Sequence, residues 1–181
     1  MGDQDKAAGR ALDAYLAAAA RTGDHKALAL LFKRWNPRLT APAWRLLGDR
    51  EQAGDAVQEA WVEIVRGLVR LADTDAFAAW AYRITSRRCA KAINRAVRDR
   101  RTAEALQIDE DAAAPQEPHT ARLRQAMDAL PLDQRAAIAL FYLEDMSVAE
   151  VAVALAVPAG TVKTRLMHAR HKLRAALEGD A

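Results

Sequence analysis

One cysteine, Cys89, occurs in 181 residues, so no intramolecular disulfide can form. A structural zinc site of four cysteines, or of two cysteines and two histidines, is excluded with it. The lone thiol suits a reducing compartment. Apolar runs are also lacking: the longest are alanine stretches such as 17–20, far short of the about 20 residues that cross a bilayer. The first ten residues, MGDQDKAAGR, carry acids and no apolar core, which argues against a secretory signal. There is no glycine-rich phosphate loop and no internal repeat. His25, His119, His168 and His171 are scattered, with no paired acid, serine or cysteine arrangement suited to a nucleophile or a metal. These absences predict a cytoplasmic protein without membrane insertion, catalytic residues, metal or cofactor.

What is present is ordinary globular material: 51% hydrophobic and 28% charged residues, with aromatics at 6%. The net charge of +3 is unevenly distributed. Residues 1–101 hold 19 bases against 12 acids, whereas 102–119 hold five acids and no base, and 120–181 hold eight bases and seven acids. A short acidic, proline-containing stretch between two segments able to bury apolar surface reads as a solvated linker. The expected organisation is therefore a first domain over 1–101, a flexible linker over 102–119 and a second domain over 120–181.

Alanine and leucine recur at spacings of three and four, and strand-like alternation of β-branched residues is nearly absent, so the fold class is all-α. The pattern predicts helices over 8–21, 25–35, 38–47, 51–66 and 75–98, then 119–129, 132–143, 148–155 and 159–177. Breaks are expected at Thr22-Gly23, Asn36-Pro37, Gly48-Asp49 and 72–74, with Pro42 kinking the third helix. Ser147 followed by Glu150 fits a capping box, and Pro158-Ala159-Gly160 separates the last two helices.

Those last two helices have the size and punctuation of a helix-turn-helix. At about 100° per residue, Val162, Leu166, Ala169, Leu173 and Leu177 fall on an arc roughly 80° wide, the face that packs inward. Thr164, His168 and His171 centre the opposite face, flanked by Lys163 and Arg174 on one side and by Arg165 and Lys172 on the other. Hydrogen-bonding groups at mid-face with cations at the edges suit a reader of the major groove. A merely solvated basic face is the plainer alternative, and the preceding turn weighs against it.

The helix over 75–98 carries Arg83, Arg87, Arg88, Lys91, Arg95 and Arg98 and, after Asp75, no acid. Arg83, Arg87, Lys91 and Arg95 are each four apart, a like-charge row that costs a few tenths of a kcal/mol per pair unless an anion such as a phosphate backbone lies along it. Phe77, Trp80 and Tyr82 stand at its head, either as core residues or as platforms for an unpaired base. The preceding helix is the reverse: Asp55, Glu59 and Glu63 form an acidic row beside Gln58, either solvated or docked on a basic protein surface. Val57, Trp61, Ile64 and Leu68 supply its apolar side.

DAVQEAW (55–61), FAAWAYRITSRRCAKAI (77–93) and LPLDQRAAIALFYLEDMSVAEVAVALAVPAGTVKTRLMHARHKLRAAL (130–177) together resemble the extracytoplasmic-function sigma factors of bacterial RNA polymerase. The resemblance covers roughly residues 24–177 and implies a region 2 domain and a region 4 domain with no region 3 between them. It implies that Asp55, Gln58, Glu59 and Trp61 bind the coiled coil of the largest subunit of core RNA polymerase. It further implies that residues 68–98, with Trp80, Tyr82, Arg83, Arg87, Arg88, Lys91 and Arg95, capture and melt the minus-10 element. The last helix, through Thr161, Lys163, Thr164, Arg165, His168, Arg170, His171, Lys172 and Arg174, is expected to read minus-35 promoter DNA. The second domain is expected to dock on the flap of the second-largest subunit, and an anti-sigma factor is the expected regulator.

Three departures from the family pattern stand out. Arg87 replaces the usual asparagine and Lys91 the frequent aspartate, both raising expected non-specific DNA affinity. Glu144-Asp145-Met146-Ser147 replaces a Glu-Gly-Leu-Ser turn, losing the residue that most easily takes positive φ. Two rival readings fit parts of the chain. A stand-alone helix-turn-helix regulator dimerising on a palindrome uses 130–177 but leaves the acidic and basic helices idle. A sigma-like adaptor would bind a protein partner without directing transcription.

Overall fold

The computed structural model describes residues 3–103 and 118–178, and among them every regular element is helical. In chain order these are α1 (Asp3–Arg21), α2 (His25–Leu47), α3 (Arg50–Leu68), α4 (Phe77–Ala103), α5 (Pro118–Asp128), α6 (Leu132–Ile138), α7 (Val148–Leu155) and α8 (Ala159–Glu178). The acidic stretch read as a linker lies mostly outside the described residues. At its margins α4 continues through Ala103 and α5 begins at Pro118.

Sequence punctuation sets most of the ends. Asp24 caps α2, its carboxylate accepting from the amides of Lys26 and Ala27 at 2.8 and 3.0 Å. Gly48 closes that helix at φ 74°, and Asp49 starts α3 by accepting from Glu51 and Gln52 at 2.7 and 3.0 Å. The capping box forms as expected: Glu150 N donates to Ser147 Oγ and Ser147 N to the Glu150 carboxylate.

Three differences are instructive. The break expected at Asn36-Pro37 does not occur, because α2 continues as one helix past Pro37 and Pro42. Trp35, Leu39, Pro42, Ala43 and Leu46 are all buried along one stripe of that helix. Packing of this stripe outweighs the backbone hydrogen bonds the two prolines forfeit. The helix expected over 132–143 is α-helical only to Ile138 and widens into a π-turn over 139–143, closed by Glu144 N donating to the Ala139 carbonyl at 3.2 Å. Asp145 then takes φ 55° itself, an uncommon role that aspartate tolerates better than most side chains.

The core is made largely of small residues. Ala17, Ala43, Ala53, Ala60 and Ala81 are fully buried, so the first four helices approach closely around a few large side chains. Trp35, fully buried, sits edge-on to Phe77 at 5.2 Å and to Tyr82 at 5.6 Å. The second helical group does not stand apart: α7 packs on α4, and the buried residues of both groups form one continuous cluster.

Ala156, in the turn of the helix-turn-helix, is exposed and held at φ 54° and ψ 44° without the glycine that position favours. Ala156→Gly is expected to stabilise the chain by about 1 kcal/mol, raising Tm by about 2–4 °C. Calorimetry checks this; an unchanged or lower Tm would contradict the turn geometry.

Candidate nucleic-acid and protein interface

The inner stripe of α3 carries Ala53, Ala56, Val57, Ala60, Trp61, Ile64 and Leu68. That stripe rotates Asp55, Gln58 and Glu59 outward, and all three are exposed on adjacent turns. Trp61, expected beside them at the polymerase contact, is instead a core residue at 5% exposure. Its indole N–H donates to Asn36 Oδ1 at 3.2 Å and its ring lies 4.8 Å from that of Phe32. Its work is to fix the rotation of α3, because an indole on the apolar stripe gains more from burial than from solvent.

On α4 the apolar stripe is Phe77, Ala81, Tyr82, Ile84 and Cys89, leaving Arg83, Arg87, Lys91 and Arg95 exposed in the expected row. Two expectations change here. Tyr82, proposed as a base-stacking platform, is 1% exposed and presents no ring face to solvent. Its hydroxyl donates to Glu144 Oε2 at 2.6 Å, and Arg45 donates to the other carboxylate oxygen at 3.4 Å. Burial, reinforced by Glu144, pushes the Tyr82 phenol well above its ordinary range, so it stays a donor. Of the head aromatics only Trp80 keeps partial exposure, while Phe77 is buried. Trp80 lies so close to α3 that a Cβ at Gly67 would stand 2.9 Å from its ring.

The second change is electrostatic. The basic row is not uncompensated, because Arg87 is ion-paired with Glu63 across the α3–α4 contact. Arg88 bridges Glu59 at 2.9 Å and Glu63 at 2.8 Å. The acidic row therefore docks in part on the basic helix of its own chain, and Asp55 and Gln58 remain turned outward. The Arg87 hydrogen bond holds the Glu63 carboxyl below its ordinary value against the opposing effect of burial, with Arg88 adding to the lowering. A depressed carboxylate favours the folded state above the ordinary carboxylate range and loses that contribution only as pH falls through the lowered value. The pairs accordingly persist at neutral pH.

Between α3 and α4, the loop over 69–76 exposes Val69 and is braced from behind by Arg21 of α1, which donates to the Leu71 carbonyl at 2.9 Å. Asp13 of α1 is buried against Arg34 and Arg38 at 2.5 and 3.4 Å. Neither brace has a sequence signal, since each joins residues far apart in the chain.

The helical projection of α8 holds. Val162, Leu166 and Ala169 are buried and Leu173 half-buried, and only Leu177 departs, at 43% exposure. Lys163, Thr164, His168, Arg170, His171, Lys172 and Arg174 are exposed, and Thr161 is half-buried. Arg165 is the exception on the cationic edge: it turns to Asp133 at 3.0 Å and lines a cleft shared with Arg83 and Arg87. Among the described residues, no cluster of three histidine, cysteine or acidic side chains is disposed to hold a metal, and no helix is long and apolar enough to cross a membrane.

The Tyr82 contact generates a direct check. Glu144 has only 9% of its side chain exposed, and Tyr82→Phe removes one of its two partners. The substitution is expected to cost about 2 kcal/mol. Urea unfolding would show it as a lower midpoint; an unchanged midpoint would mean that the hydroxyl faces water.

Residues 31–99 match the sequence family described as Sigma-70 region 2, and residues 120–173 match Sigma-70, region 4. The chain is 30% identical to the RNA polymerase sigma-H factor of Pseudomonas aeruginosa, over 92% of this chain and 94% of that protein. It is 33% identical to the ECF RNA polymerase sigma factor SigM of Mycobacterium tuberculosis, covering 89% and 82%. With the ECF RNA polymerase sigma factor SigE of Mycolicibacterium smegmatis it shares 32% identity over 84% of this chain, spanning 63% of that longer relative. In three dimensions it is similar to CnrH in complex with the cytosolic domain of CnrY, with a TM-score of 0.72 and 27% identity over 94% and 99% of the two chains. The sigma factor RpoE bound to the anti-sigma factor NepR from Bartonella quintana shares the fold, with a TM-score of 0.71 at 22% identity over 86% and 99%.

Proposed function

The chain belongs to the extracytoplasmic-function sigma factors of bacterial RNA polymerase, and from that membership we propose how its faces divide the work. It binds core RNA polymerase and directs promoter-specific initiation. The observation that supports the division most strongly is the outward acidic edge of α3, Asp55, Gln58 and Glu59, held beside the cationic face of α4. An edge of like carboxylates repels DNA but complements a basic protein surface, so it takes the coiled coil of the largest subunit. Trp61 positions that edge from within the core.

The face of α4 with Arg83, Lys91 and Arg95, the partly exposed Trp80 and the loop over 69–76 take the minus-10 element. Arg88, held by two carboxylates, serves the α3–α4 contact. Tyr82 has no place at the DNA surface in this conformation. On α8, Lys163, Lys172 and Arg174 grip phosphates while Thr164, His168 and His171 face bases, with Thr161 and Arg170 at the margins of the reading face. The second helical group docks on the flap of the second-largest subunit. An anti-sigma factor is the regulator, a partner that the similar complexes support. The protein works in the cytoplasm as a specificity subunit without catalytic chemistry of its own.

Reversing Asp55 and Glu59 to lysine tests the polymerase face. Glu59 also holds Arg88, so Asp55→Lys alone, which leaves that pair intact, is the companion variant. Holoenzyme assembly should weaken in both, by several kcal/mol, at least about a hundredfold in affinity, in the double reversal. Undiminished co-purification with core polymerase, from a variant whose circular dichroism is native, would refute the assignment.

The two roles on α8 separate by salt. Arg174→Ala should weaken binding to every sequence and flatten the salt dependence by about one unit of slope. His168→Ala should instead relax discrimination at one or two base pairs. Equal effects of both substitutions on all sequences would show that the face is misoriented.

A further inference from the structure

Arg87 stands in the middle of the cationic row of α4, yet it is spent on a carboxylate of its own chain. Its side chain is 62% exposed, whereas Glu63 is 30% exposed and also holds Arg88 at 2.8 Å. The two ends of the pair are therefore unequal. A guanidinium this open to water, joined to Glu63 through one carboxylate oxygen, is weakly held and can swing to another oxyanion such as a phosphate. Glu63 can let it go without being stranded, because Arg88 stays against it, fixed at 26% exposure by Glu59 and Glu63 together. Arg83 lies one turn before Arg87 and Lys91 one turn after it, both exposed, so a backbone following that row passes directly over the Glu63–Arg87 pair.

We propose that Glu63 is a resident competitor of DNA phosphate for Arg87, and that it thereby sets the affinity and salt sensitivity of α4 toward nucleic acid. This rests on the reading of α4 as a DNA face. While Arg87 is neutralised it releases less than one counterion when DNA binds, and the Glu63 charge lies close to the phosphate track. Removing the competitor gives the row its full charge. The chain thus carries an extra arginine in its DNA-facing helix together with the residue that restrains it, which limits capture by arbitrary DNA.

Glu63→Gln tests this in the full-length chain, since glutamine keeps an acceptor for Arg88 at nearly the same volume. The probe is a mixed-sequence double-stranded DNA fragment, with affinity followed by fluorescence anisotropy across a range of salt concentrations. The expected result is affinity about three- to tenfold higher at low salt and a salt slope steeper by up to about one unit. Arg87→Ala alone should lower affinity modestly, because it uncovers the Glu63 charge, and in the Glu63→Gln background it should abolish the gain, a coupling that general loosening of the fold would not produce. Assembly with core polymerase should be unaltered in Glu63→Gln. Arg83→Ala, with Lys91→Ala, serves as the control for the underlying reading. If those substitutions weaken DNA binding while Glu63→Gln leaves affinity and slope unchanged, the competitor role is overturned and the DNA face stands. If they too have no effect, the DNA face on α4 is overturned, and the competitor with it.

Discussion

The closeness with which α3 and α4 are held governs both charged surfaces of this protein. Near the loop joining them, Gly67 leaves room for the Trp80 ring, which would stand 2.9 Å from a Cβ there. About two turns further along α4, Arg88 meets Glu59 and Glu63. A hairpin fastened at these two levels has a fixed rotation about each helix axis, and that rotation decides which residues face solvent. Asp55 and Gln58 end on one outer edge, and Arg83 and Lys91 on the other helix. On the proposed division of labour, an acidic edge for a protein partner and a cationic face for nucleic acid are presented by neighbouring helices at an offset the core dictates.

A second consequence follows from small side chains. Because fully buried alanines line the helix contacts, few large residues remain to specify how the helices pack, and Trp35 carries much of that burden. Its ring meets Phe77 and Tyr82, and Arg38 stacks over it at 4.2 Å from the centroid. Through the Tyr82 hydroxyl the same cluster reaches Glu144, at the end of the π-turn in the second helical group. The widened turn and the positive φ at Asp145 bring that carboxylate to the junction. Burial pushes the Cys89 thiol up to about 12, which keeps it protonated and unreactive within the same core.

Helix identity, the capping box at Ser147 and the inward face of α8 were legible because each depends on residues within a few positions of one another. The interruption expected at Pro37 failed for the opposite reason: the packing that carries α2 through it comes from α1, α3 and α4. Tyr82 and Trp61 belonged to motifs whose neighbours face solvent, and only the tertiary environment shows that these two face inward. The acidic row was legible as a row, but its partner was not, since Glu63 and Arg87 are 24 positions apart and both lie on surfaces that look solvated in projection. Long-range ion pairs leave no periodic trace. Asp13 with Arg34 is another such pair, and the hydrogen bond from Arg21 to the Leu71 carbonyl is equally silent in the sequence.

Run-off transcription with purified core polymerase tests the division of labour most directly. Templates drawn from DNA co-isolated with the holoenzyme should give discrete transcripts only when the full chain is added, and none from core alone or from the chain alone. Identical transcripts with and without the chain would contradict its role as a specificity subunit, as would tight, core-independent binding of the free chain to a palindromic site.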